Sequence, residues 1–217
     1  MSKYEENVRH AFKFKDKFIR GADKRIRQIT EKFYKKLKNK KKVKNIIYVG
    51  VHIRLRDSIG DIMKNYDLPM ITTSSYLQAM GSLVDKLENK NTKLIFLIIT
   101  DDPLPVQMEM MPRFKRAFNA YQVGTGHVNN RISVGLDMAM MSRSNYTILS
   151  YGTFSYWCGF LSGGPKLLPV HYTSQRIKWN GTIPKLFQNS FYLTDIGLKT
   201  NVEMAKSKVI SPKVTKN

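Results

Sequence analysis

Cysteine is almost missing from this chain: Cys158 is the single one in 217 residues. An intrachain disulfide is therefore impossible, and a cysteine-type zinc site is excluded. Long apolar runs are missing too. No stretch approaches the roughly 18 residues that a membrane-crossing helix needs, and the N-terminus shows no apolar signal segment. Read by itself, the chain is expected in the cytosol. Acidic residues are few, 16 against 37 lysines and arginines, for a formal charge of +21. Much of that excess is local: residues 1–45 hold 17 basic and 5 acidic side chains, a net of +12. Partners suited to such a chain are nucleic acids, anionic membranes and phosphorylated small molecules. What remains is ordinary for a folded protein. At 42% hydrophobic and 11% aromatic, the chain can bury a core and is not a disordered polymer.

The pivotal stretch is Val49-Gly-Val-His-Ile-Arg-Leu-Arg-Asp57. Ile46, Ile47, Val49, Val51 and Ile53 form a β-branched run that reads as a buried strand. The run then ends in His52, Arg54, Arg56 and Asp57. In an open α/β sheet, ligands sit beyond the carboxyl ends of the strands. Arg54 at such a place could fork onto a phosphate, or it could simply meet solvent.

Upstream, residues 7–38 read as one helix, with Ile19, Ala22, Ile26, Ile29, Phe33 and Leu37 on a single stripe and basic residues opposite. That face suits either an anionic surface or plain solvent. Downstream, 58–73 reads as a loop. A helix capped by Thr73 or Ser74 follows, and then a buried strand, Leu94–Ile99, ending in Thr100-Asp-Asp-Pro103. This strand–helix–strand spacing predicts a parallel βαβ unit. Residues 106–119 form a Met-rich helix whose methionines fill the core. Residues 121–130 form a loop, 133–141 a short helix and 146–149 a third strand. Ser150-Tyr-Gly-Thr-Phe-Ser-Tyr-Trp157 reads as a turn entering a helix that stops at Gly163-Gly164. The unpaired N–H groups of such a helix start favour anions, and Thr153 and Ser155 could add hydroxyls; an N-cap without ligand fits the pattern equally. Residues 167–170 are a candidate fourth strand.

The strand-end His-x-Arg and the Gly-Thr-Phe helix start together resemble the galactoside α1,2-fucosyltransferase family. That family's first motif, His-x-Arg-Arg-Gly-Asp-Tyr after Val-Gly-Val, is met here by Val49, Gly50, Val51, His52, Arg54 and Asp57. Leu55, Arg56 and Ser58 replace its second arginine, glycine and tyrosine. The second motif is met by Asp137, Asn145, Thr147, Ile148, Gly152, Thr153, Phe154 and Trp157, followed by Leu161, Gly163 and Gly164.

The resemblance implies an α/β fold: a Rossmann-like parallel sheet with flanking helices, like the donor-binding half of a GT-B-like glycosyltransferase. It divides the chain into a basic amphipathic helix (1–45), a GDP-fucose-binding domain (46–175) and an irregular basic C-terminal segment (176–217). It implies transfer of L-fucose from GDP-β-L-fucose to a terminal β-galactose of a glycan acceptor, with inversion, no metal and no further cofactor. Arg54 would be catalytic. His52, Arg54, Asp57, Asp137, Gly152, Thr153, Phe154 and Ser155 would bind the donor, with Asp57 bracing the arginine and His52 positioning rather than acting as base. Asp101 and Asp102 would end a strand near the nucleotide rather than hold a metal. The family's acceptor-side segment and membrane anchor are not found in residues 1–45, so any membrane attachment is expected through an anchor outside this chain. Family membership also implies a Golgi lumen, where the sequon at Asn180 would be glycosylated, whereas Asn145 falls at an expected buried strand. Two other classes stay open: an inactive sugar-nucleotide-binding homologue, and a basic binder of nucleic acid or another anionic surface. No recognised RNA-binding signature supports a nucleic-acid partner.

Overall fold

The computed structural model describes residues 7–8, 11–37, 43–56, 71–124, 131–169, 190–194 and 197–200. Its centre is a pair of long parallel strands, β1 (Asn45–Ile53) and β2 (Thr92–Thr100), in register from Asn45 opposite Thr92 to Ile53 opposite Thr100. Helix α2 (Thr73–Leu87) connects them, as the βαβ spacing predicts. It is capped by Thr72, one residue earlier than expected, whose hydroxyl accepts from the Ser75 amide at 3.2 Å. The remaining strands are β3 (Ala120–Gln122), β4 (Tyr146–Ile148), β5 (Lys166–Pro169), β6 (Ser190–Thr194) and β7 (Gly197–Thr200). Their order across the sheet is β3-β2-β1-β4-β5-β6-β7, parallel as far as β6 and antiparallel at β7. β6 and β7 fall in the segment expected to be irregular. The Rossmann-like α/β architecture is therefore present in the chain's own sheet.

Alternation along β2 gives the sheet two apolar faces. Leu94, Phe96 and Ile98 share one cluster with Val49, Val51, Ile53 and the α2 side chains Tyr76, Ala79, Met80 and Leu83. On the other face, Ile95 and Leu97 pack with Ile29 and Phe33 of helix α1 (Asp16–Lys36), while Ile99 packs with Ala22 of α1 and with Ala139, Met140 and Met141 of helix α4 (Arg131–Ser142). The basic helix is thus a covering helix. The helix is not continuous from residue 7: residues 7, 8 and 11 are helical, residues 12–15 interrupt, and α1 begins at Asp16, with Phe14 and Phe18 packed against the second cluster.

The Met-rich segment is less regular than expected. A turn at Pro103–Pro105 widens into a π segment, Val106–Met110, before helix α3 (Met111–Ala117) begins. Pro112 supplies the cause, since it lacks an N–H and its ring crowds the carbonyl four residues back. Met110 and Met111 are core, but Met108 is exposed. Helix α5 (Thr153–Ser162) ends at Gly163, in the left-handed conformation at φ 74°, where the sequence places the stop. A close approach occurs at Gly50: a Cβ there would come within 2.7 Å of Met141 Sδ and Ser144 Oγ, so these two side chains would have to shift to admit one. Asn145 is exposed rather than buried in a strand. Its amide oxygen accepts from the Tyr48 N–H at 2.9 Å and so prolongs the β1–β4 ladder. No described helix is long and apolar enough to cross a membrane.

Candidate functional site

The strand order creates one natural crevice. From β1 the chain winds outward through β2 and β3, then returns through α4 to β4 on the opposite side of β1. The carboxyl ends of β1 and β4 therefore diverge into helices on different sides, which is where open α/β sheets bind ligands. Both stretches singled out in the sequence end there: His52, Ile53 and Arg54 from β1, and Ser150 to Ser155 from β4.

Gly152 makes the turn into α5 at φ 99° and ψ 164°, a conformation essentially confined to glycine. The Arg54 side chain runs alongside it, with Cδ 3.8 Å and Nε 4.0 Å from where a Cβ on Gly152 would stand. Gly152 has no side chain with which to cap the helix, and the amides of the first turn lack intrahelical partners. A guanidinium and a helix N-terminus thus meet at one point, and both favour an anion.

His52 lies beneath this point, 3% exposed. Its Nδ1 shares a 2.5 Å hydrogen bond with the Ser155 hydroxyl, and its ring tilts against Phe154 with centroids 4.9 Å apart. Burial, and after it the Arg54 charge, holds the imidazole down at about 3, so it is neutral at physiological pH. His52 and Ser155 therefore clamp β1 to the start of α5. The fully buried Ser155 hydroxyl is engaged inward, whereas Thr153 is exposed at the helix start.

Two further residues complete the support: Asp101, expected at a strand end near the nucleotide, and Tyr76, which the sequence did not single out for the site. The Asp101 carboxylate, at the end of β2, accepts the Leu55 amide at 2.8 Å and the Arg56 amide at 3.4 Å. It fixes the backbone just after Arg54. The Tyr76 hydroxyl donates to the His52 carbonyl at 3.2 Å, with Ser150 beside it, and burial pushes its phenol pKa up. Arg56 faces Asp102 at 3.8 Å, a half-exposed pair. The signal for Asp101 was legible as a strand-end carboxylate; that it grips the neighbouring strand's exit was not, because strand adjacency is not written in local sequence.

Asp137 is buried on α4, close enough to Cys158 of α5 that its charge adds to burial in raising the thiol pKa well above its usual value. It belongs to the α4–α5 contact behind the crevice. Asp57 and Asn180 lie outside the described residues. Among the described residues, no three of His, Cys, Asp or Glu cluster as metal ligands would.

The model named Glycosyl transferase family 11 matches residues 2–182. Galactoside alpha-(1,2)-fucosyltransferase 2 of Rattus norvegicus is 25% identical over 128 residues, 58% of this chain and 33% of that protein. Galactoside 2-alpha-L-fucosyltransferase Sec1 of Mus musculus is 23% identical over 128 residues, 58% of this chain and 32% of its own length. The match thus spans about a third of the length of these curated relatives. Among solved structures, NodZ alpha-1,6-fucosyltransferase co-crystallized with GDP aligns with 62% of this chain and 40% of its own, at 15% identity and a TM-score of 0.31, too loose a likeness to bear on the site. With the family model covering most of the chain, and the two motifs meeting at the switch point of its sheet, the chain belongs to glycosyl transferase family 11.

Proposed function

We propose that this chain binds GDP-β-L-fucose at the β1–β4 crevice and serves fucosyl transfer to a terminal β-galactose, with inversion at the sugar carbon. The observation that carries this reading is the Arg54 side chain lying along Gly152 at the uncapped start of α5. The diphosphate sits between the guanidinium and the amides of Thr153, Phe154 and Ser155. As the bond to the sugar breaks, negative charge grows on the departing GDP. A fixed cation beside it stabilises that charge by about 3–4 kcal/mol. His52, neutral and buried, keeps the two strand exits in register rather than moving a proton. Asp137 supports α5 from behind. From the family motif, Asp57 is assigned the part of bracing the arginine. The family reading carries no metal into this arrangement.

The test is transfer of labelled fucose from GDP-fucose to a β-galactoside by this chain and by Arg54→Ala. Transfer that falls about 10²–10³-fold in the variant, with the circular dichroism spectrum unchanged, supports the mechanism. Near-normal turnover in Arg54→Ala removes Arg54 from it. GDP binding without any transfer would make the chain a sugar-nucleotide-binding homologue instead.

A further inference from the structure

The buried stripe of α1 consists of Ala22, Ile29 and Phe33. Diametrically opposite, Lys17, Arg20, Lys24, Arg27 and Lys35 follow one another at helical spacing, all exposed, with Glu31 the one acidic interruption. Lys13, Lys15 and Lys32 flank the row and are exposed as well. Acidic neighbours offset little of this. Asp16 faces Arg20 at 3.8 Å with both side chains largely in water, and Asp23 is engaged with Arg143 at 3.1 Å. The row runs the length of a 21-residue helix, roughly 30 Å. Just before the helix, Phe12 stacks on Trp157 of α5 with centroids 6.2 Å apart, and the two are 39% and 38% exposed. Phe12 also meets Phe14 edge-on at 5.1 Å.

We propose that the outward face of α1, with the Phe12–Trp157 pair at its start, is a docking surface for an anionic lipid membrane. Charge complementarity selects an anionic partner. The form of the surface selects lipid over nucleic acid. Lysine point charges predominate over arginine forks, which suits attraction to a diffuse charged plane more than bidentate phosphate recognition. The cations lie on one convex helix rather than in a groove that could track a strand. The Phe12–Trp157 pair just before the helix adds half-exposed rings of the kind found at the headgroup level of a membrane interface. Since the apolar stripe of α1 is spent on the sheet, binding is electrostatic and peripheral.

Vesicle flotation tests this, with phosphatidylcholine alone and with added phosphatidylserine. The full chain is expected to float with anionic vesicles only and to be released by salt. Lys24→Glu/Arg27→Glu/Lys35→Glu should lower partitioning at least about a hundredfold, and Phe12→Ala should lower it further on its own background. A Lys24→Ala/Arg27→Ala/Lys35→Ala variant, checked by circular dichroism, separates loss of charge from loss of fold. Equal binding to neutral vesicles, unchanged binding in a folded triple variant, or binding of duplex DNA without binding of anionic vesicles would overturn the proposal.

Discussion

His52 shows how a polar side chain in a strand end can be structural. The motif alone makes it a candidate for nucleotide contact. Its burial and its bond to Ser155 make it a clamp between β1 and α5. That placement has a pH consequence. The folded pKa of about 3 lies below the ordinary 6.5, so an unfolded chain takes up a proton that the folded one refuses. The stabilisation is complete above about pH 6.5 and is lost progressively as pH falls toward 3, by about 5 kcal/mol at most. Denaturant unfolding across that range should show stability falling with acid, and His52→Asn should flatten the fall. Superimposable profiles for the two proteins would show that His52 is not held neutral by burial. At this scale Gly152 and Arg54 were legible in sequence, because a Gly before a helix start and a cation after an apolar run are local signals. Tyr76 was not, since its phenol reaches the His52 carbonyl through tertiary packing alone.

Elements were legible where the pattern was long. The nine-residue strands β1 and β2, helix α2 and the glycine stop of α5 follow from periodicity and punctuation. Short or interrupted elements were not. β3 has three residues inside a polar stretch, and the π segment before Pro112 keeps a helical composition while changing its hydrogen bonding. The helix expected over 7–38 is broken at residues 12–15, where Phe14 packs into the second cluster, a tertiary contact that helical periodicity does not carry. Contacts between elements matter most at the exit of β1, where Asp101 of β2 holds the Leu55 and Arg56 amides. Asp101 acts through Arg54 rather than on a ligand. Asp101→Ala should release the loop and weaken nucleotide binding about tenfold or more, since it strands two amides that a charged acceptor held. Asp101→Asn keeps one carbonyl oxygen for the nearer Leu55 amide and should recover part of the loss. Equal defects in both variants would mean that the carboxylate serves some purpose other than holding the loop.

Over the whole molecule, the sheet order is what joins the two motifs. They are about a hundred residues apart in sequence, and only the return of the chain to β4 beside β1 brings Arg54 to Gly152. The parallel α/β class was readable from the βαβ spacing, and the meeting of the motifs from family resemblance; neither follows from composition. Part of the net charge of +21 is carried by α1, as a row on the far side of its buried stripe. Nucleotide binding in a crevice and attraction to an extended surface therefore differ in salt dependence. The direct measurement is calorimetric titration of GDP into this chain and into Arg54→Ala, each at low and high salt. Roughly micromolar binding, little changed by salt and lost in the variant, is the predicted result. A folded chain that binds no GDP, or that binds it equally well without Arg54, would contradict a diphosphate site at the β1–β4 crevice.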